Sequence, residues 1–151
     1  MKFEQTMTLP ASKERVWAFV MDVPRVAQCI PGLKSIEALG DDKYAAVVSM
    51  RVGPIVLALK SEITVTERDE AAGTAGLRME AADKRVGGAV RATMTMRLVP
   101  AGEGTTLTIE TDAQVMGRIG DFGQPVIRKK ADQMLDETAK AMHAALSEAA
   151  V

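Results

Sequence analysis

The sequence predicts an α+β fold: a strongly bent, seven-stranded antiparallel sheet, two short helices after the first strand, and one long C-terminal helix over the sheet. Three observations carry this. Apolar residues alternate with polar ones in runs from residue 33 to about 116, separated by turn signals. The alternation is one-sided, so the sheet has a wet face and a dry face. From about 121 to 149 the period changes to helical, with Phe122, Ile127, Ala131, Met134, Leu135, Thr138, Met142, Ala145 and Leu146 on one stripe.

Each element follows in order. Residues 2–9 alternate, with Phe3, Gln5, Met7 and Leu9 on one side of a strand. Pro10-Ala11-Ser12 supplies a turn and an N-cap, and Val16, Phe19 and Val20 lie at helical spacing, so 12–20 is a short helix. Pro24 opens a second short helix through about Gln28, which Ile30-Pro31-Gly32 ends. Strands follow at 33–39, 43–52, 55–67, 74–82, 89–99 and 105–116. Their turns are Gly40-Asp41-Asp42, Gly53-Pro54, Ala71-Ala72-Gly73, Gly87-Gly88 and Ala101-Gly102-Glu103-Gly104. A terminal helix of that length spans roughly 40 Å, enough to cross a whole sheet. A curved sheet and one helix cannot touch everywhere, so a gap between them is expected.

Composition narrows the function. The chain has 151 residues and no linker, low-complexity tract or repeat, so residues 1–151 read as one domain. A net charge of −1 supplies no basic field for nucleic acid, so no nucleic-acid partner is expected. The lone Cys29 cannot form an internal disulfide. The opening MKFEQTMTLP lacks the apolar run of a signal peptide, and no stretch is apolar enough to be a transmembrane segment; a cytoplasmic location is expected.

Catalytic and metal chemistry finds little material. One histidine, His143, and one cysteine cannot build a zinc cluster, and no serine has a nucleophile-elbow context, so neither a catalytic residue nor a metal or covalent cofactor is expected. Ten Met against five aromatics point elsewhere. Flexible, polarizable side chains suit either an ordinary core or an interior that moulds itself to an oily ligand. By alternation Met50, Leu57, Leu59, Met79, Met94 and Met96 converge from the sheet, and Phe122, Ile127, Met134 and Leu135 from the helix. Trp17, Phe19 and Ile30 mark the short helices as either core or lid. Ser61 interrupts an apolar face: a hydroxyl satisfied by backbone or at a register change, or one that bonds a ligand carbonyl. Arg128-Lys129-Lys130 reads as a solvated face or a contact to acidic headgroups. A ligand burying ~400 Å² of apolar surface would gain roughly 10 kcal/mol gross, less ordering costs.

Several segments carry a family resemblance. RVWAFVMDVPRVAQCIPG at 15–32 resembles the signature around the second short helix of the CoxG family of carbon monoxide dehydrogenase subunits, within the START-like, helix-grip (SRPBCC, Bet v 1-like) superfamily. Gly40-Asp41-Asp42-Lys43-Tyr44, Val52-Gly53-Pro54-Ile55 and Ala113-Gln114-Val115-Met116-Gly117 are similar to that family's turn, corner and exit toward the last helix. The similarity covers 1–147. It implies a helix-grip cavity holding an isoprenoid quinone or another lipid, and a CO dehydrogenase-type molybdenum oxidoreductase as partner, joined to the membrane respiratory chain. It also implies peripheral contact with the inner face of the membrane. Many members carry a C-terminal extension ending in an anchor; this sequence reaches Val151 directly after the helix, so such a tail is not expected of these residues.

Two rival readings stay open. Some helix-grip proteins are cyclases, dehydratases or hydrolases of hydrophobic substrates, and the inward polar groups here would be Ser61, Thr111 and Tyr44. The other rival is an adaptor with a filled core and no ligand.

Overall fold

The computed structural model describes residues 1–149; Ala150 and Val151, the end of the expected single unit, lie outside the described residues. The seven strands are β1 (Lys2–Leu9), β2 (Leu33–Gly40), β3 (Lys43–Val52), β4 (Ile55–Asp69), β5 (Thr74–Asp83), β6 (Gly88–Ala101) and β7 (Gly104–Gly117). They form one antiparallel sheet in the order β1-β7-β6-β5-β4-β3-β2. Between β1 and β2 come α1 (Lys13–Met21) and α2 (Val23–Ala27). Ser12 caps α1 by accepting the Arg15 N–H, and Asp22 caps α2 by accepting that of Arg25. Pro24 sits in the first turn of α2, where its missing donor costs nothing.

The expected helix from 121 divides. Arg118–Phe122 is a separate 3-10 turn, and α3 runs Gln124–Ala149. Gly123, at φ +87°, separates them, so Phe122 belongs to the turn and not to the helix stripe. The turn needs room beneath it. A Cβ on Gly88 would stand 2.4 Å from Ile119 Cγ1, and one on Gly117 the same distance from the Gly87 carbonyl oxygen. The Gly87-Gly88 corner is thus a seat for Ile119.

The sheet grips α3. The closest backbone approaches of the helix are to β1 on one side, β3 on the other and the 3-10 turn at its start. Along β1, Arg128 donates to the Lys2 carbonyl at 3.2 Å and lies 4.6 Å from the centre of the Phe3 ring. Arg128 thus ties the helix to β1 while staying exposed, as is Lys129 beside it.

The apolar interior forms two packed clusters. The first joins Leu9, Val16, Trp17, Phe19, Leu98 and Leu107 to Met142 and Leu146 at the end of α3. The second joins Val52, Leu57, Leu59 and Ala81 to Ile119, with Met50, Val86 and Phe122 against it.

Candidate functional site

Between the two clusters the inner face of the sheet is only half-covered. Cross-strand register places Val65, Leu77, Met94, Thr111 and Phe3 in one row, and Tyr44, Ile63, Met79, Ala92 and Ala113 in the next. All but the two alanines are half-buried, although every one faces inward. Alanines floor the bend: Ala46, Ala81, Ala92 and Ala113 are each at most 8% exposed.

The helix repeats the pattern. Its inward residues over the first four turns, Ile127, Ala131, Met134, Leu135 and Thr138, are half-buried, whereas Met142 and Leu146 near its end are 3% and 2% exposed. The Thr138 hydroxyl is satisfied by the Met134 carbonyl at 2.7 Å, so it makes no polar demand on the space. These partly buried methionine, leucine and isoleucine side chains mark a strip, the hollow, that lies between the two packed clusters. A depression of about 440 Å³ lined by Met1, Ala113, Val115, Gly120, Gln124 and Ile127, among others, opens at the start of α3. Ala113, Val115 and Ile127 line this depression from the sheet and the helix, beside the exposed Gln114 and Met116. A separate depression of about 430 Å³ between β1 and α3 is lined by Glu4, Gln5, Asp132, Gln133 and Asp136, all polar residues.

The residues expected from sequence to line a ligand fall into three groups. Met79 and Met94 are partly buried on the inner face of the sheet, and Ile127, Met134 and Leu135 are partly buried on α3. Trp17, Phe19 and Met96 lie in or against the first packed cluster, and Met50, Leu57, Leu59 and Phe122 in or against the second. Phe19 and Leu57, at 1% exposure each, leave almost no surface for a ligand to touch. Ile30 is half-buried in the tight turn after α2. Ser61 is on the inner face at 9% exposure, level with Ala46 and Ala81. Its ladders are continuous on both sides, so a register change does not account for it.

Phe3, Ile63 and Leu77 join the hollow without having a sequence signal as ligand contacts. Alternation puts them inside, but only cross-strand register sets them level with Met79 and Met94. Asp83 has no sequence signal at all. It is 3% exposed and accepts from the Ala58 N–H at 2.8 Å, the Arg85 N–H at 3.0 Å and the Arg85 guanidinium at 3.2 Å. The Ala58 bond first, then Arg85, holds its carboxyl at about 2. This carboxylate fastens the β4 start to the β5–β6 corner beneath the second cluster. Burial pushes the Cys29 thiol up, against an opposing effect of Arg25. Among the described residues no three His, Cys, Asp or Glu side chains form a group that could hold a metal ion, and no helix is long and apolar enough to cross a membrane.

Known structures share this fold. A conserved protein from Geobacillus kaustophilus superposes with a TM-score of 0.89 at 25% identity, over 98% of this chain and 96% of that one. A START superfamily protein from Mycobacterium smegmatis gives 0.73 at 16% identity, over 97% of each chain. The Zhui aromatase/cyclase from Streptomyces sp. R1128 gives 0.69 at 16% identity, over 100% of this chain and 96% of that one. The fold is START-like and Bet v 1-like. No curated protein sequence matches the chain. The model of the carbon monoxide dehydrogenase CoxG family matches residues 6–147, and the chain belongs to that family.

Proposed function

We propose that this CoxG-family chain is a carrier that holds an apolar small molecule, an isoprenoid quinone or a lipid of similar shape, and serves a CO dehydrogenase-type oxidoreductase without catalysing a reaction itself. One observation carries the reading: Met79, Met94, Met134 and Leu135 face inward yet are only partly buried, between two clusters of buried residues. Unbranched thioethers adapt to a chain of variable shape, and their transfer out of water is the driving force for uptake. Ser61, at the edge of the hollow, is placed to offer a hydroxyl to a ligand carbonyl. Hand-over would take place beside Ile127, at the cytoplasmic face of a membrane or on the partner enzyme.

The test is direct. Protein purified from its native host is extracted with organic solvent and the extract analysed by mass spectrometry, and ligand-free protein is titrated with a short-chain quinone. A stoichiometric quinone or lipid and saturable uptake are expected. Protein that carries nothing and takes up nothing would leave an adaptor with an unfilled interior.

The enzymatic alternative rests on Tyr44, Ser61 and Thr111, three polar groups on the same inner face, and on the fold shared with a cyclase. Under that reading Tyr44→Phe or Ser61→Ala abolishes turnover of a hydrophobic substrate; under the carrier reading they change only affinity.

A further inference from the structure

One buried hydroxyl is left without a partner inside the molecule. Ser61 sits in the middle of β4, 9% exposed, with Ala46 and Ala81 level with it on the neighbouring strands. Leu59 and Ile63 flank it along its own strand, so no side chain beside it on this face can bond it. Other inward hydroxyls are satisfied: Thr105 donates to the Ala11 carbonyl and Thr138 to that of Met134, each at 2.7 Å. Ser61 makes no such bond among the described residues. No described polar side-chain atom is both sealed from solvent and unbonded, so the Ser61 oxygen borders a gap. A hydroxyl in an apolar wall with no partner is destabilising.

The charged groups nearby are turned away or paired. Arg51, Lys60, Arg78, Arg91 and Arg97 alternate onto the outer face of the sheet, and all are exposed. The inward carboxylate, Asp83, is bonded by the Ala58 N–H and by Arg85. Lys130, partly buried, borders the α3 stripe between Ile127 and Met134. Among the described residues, the unbonded polar groups on the inner face of β3 to β7 are hydroxyls: Ser61, and the half-buried Tyr44 and Thr111. A hydroxyl donates to a carbonyl and accepts from another hydroxyl. It cannot neutralise a carboxylate, and an unpaired buried charge costs far more than a buried dipole.

We infer that Ser61 is the specificity residue of the carrier site: it seats one uncharged oxygen function, carbonyl or hydroxyl alike, and the site refuses ionised head groups. The inference rests on the carrier reading and narrows it, from any lipid of suitable shape to neutral oxygenated ones, with fatty-acid anions excluded. A quinone and its hydroquinone are then held by the same residue, so the site does not discriminate between the two redox states of its cargo.

The probes are hexyl-benzoquinone, its hydroquinone, hexylbenzene and para-hexylbenzoate, which share a tail and differ in the head. Each is offered to ligand-free protein by equilibrium dialysis, with the hydroquinone kept free of oxygen. Ser61→Ala should weaken quinone and hydroquinone by the same factor, about fivefold, which is one ordinary hydrogen bond. It should leave hexylbenzene bound at least as tightly. Hexylbenzoate should bind the wild type more than about a hundredfold more weakly than the quinone. The variant should also raise the urea midpoint of the ligand-free protein, because it removes an unbonded hydroxyl, and that rise shows that it folds.

A loss confined to one redox form, an equal loss on hexylbenzene, or a lowered urea midpoint would overturn the inference. Tight hexylbenzoate binding would overturn it too, and its loss in Lys130→Gln would reassign the head group to that lysine. Uptake of all the neutral probes with no effect of Ser61→Ala sinks the role of Ser61 and leaves the carrier reading standing. Uptake of none of the four sinks both.

Discussion

The two halves of α3 are cut from similar sequence but sit in different surroundings. Met134 and Leu135 in the first half, and Met142 and Leu146 in the second, are the same residue types on the same stripe. The second pair is enclosed by Leu9, Val16, Phe19, Leu98 and Leu107; the first pair faces the middle of the sheet and is only partly buried. Hydrophobic periodicity therefore specifies which face turns inward, but not how much meets it. Stability resides in the packed half, and the carrier reading puts the ligand against the other.

The sharpest way to break that contrast is to make the same truncation twice. Leu146→Ala should cost about 2–5 kcal/mol in urea unfolding, because it leaves a cavity in a closed cluster. Leu135→Ala should cost about 1 kcal/mol or less, since part of that side chain already meets solvent. Equal losses would mean that the hollow is as tightly packed as the end cluster.

Enlargement sharpens the comparison from the other side. Ala75 belongs to the first cluster, so Ala75→Phe overpacks it and should destabilise by about 1–3 kcal/mol. Ala92 lies level with Met79, so under the carrier reading Ala92→Phe takes the place of the ligand. That variant should melt within a few degrees of the wild type and lose quinone uptake by more than about tenfold. Unchanged uptake would place the ligand elsewhere.

The same contrast explains what is legible in the sequence. Strand alternation, the turn glycines and the helical stripe each depend on a few neighbouring residues, so element order, inward faces and the expectation of a gap can be read directly. Which inward residues line the gap depends on register across five strands. Leu57 and Met79 look equivalent in sequence; one is sealed under Ile119's cluster and the other lies open. Phe122 follows the helical period, yet Gly123 takes a left-handed backbone that stops the helix from reaching it. Asp83 and Arg128 escape a linear reading for a different reason. Their partners, Ala58 N–H and the Phe3 ring, are distant in sequence and reached only through the fold.

Asp83 gives the contrast a pH dependence. Its pKa is depressed in the folded state, from an ordinary 3.8 to about 2, so the folded protein favours the charged form more than the unfolded chain does. The resulting stability is fully present above about pH 4 and is lost as pH falls from there toward 2. Urea midpoints measured across that window should fall in the wild type and fall less steeply in Asp83→Asn. The second cluster, which Asp83 underpins, should loosen before the first. Hydrogen exchange at β4 and β5 preceding exchange at α1 and β7 would show this order, and the reverse order would assign Asp83 no special part.

The smallest expected effect is the most informative about the half-open part of α3. Arg128 is the described link that binds this half of the helix to β1 through a side-chain hydrogen bond and a stacked ring. Arg128→Ala removes a cation–ring contact of about 0.5–1 kcal/mol at an exposed site, so the melting temperature should drop only slightly. The first turns of α3 have little other packing to hold them over the hollow, so the change should appear mainly in motion. Amide exchange should speed up across 124–135 and stay unchanged across 139–147, and quinone should both enter and leave faster at nearly constant affinity. Arg128→Lys keeps the charge but not the planar fork that serves carbonyl and ring together, and should restore only part of the protection. Faster exchange along the whole helix would instead mean that α3 behaves as one rigid unit and that its two halves are not separately held.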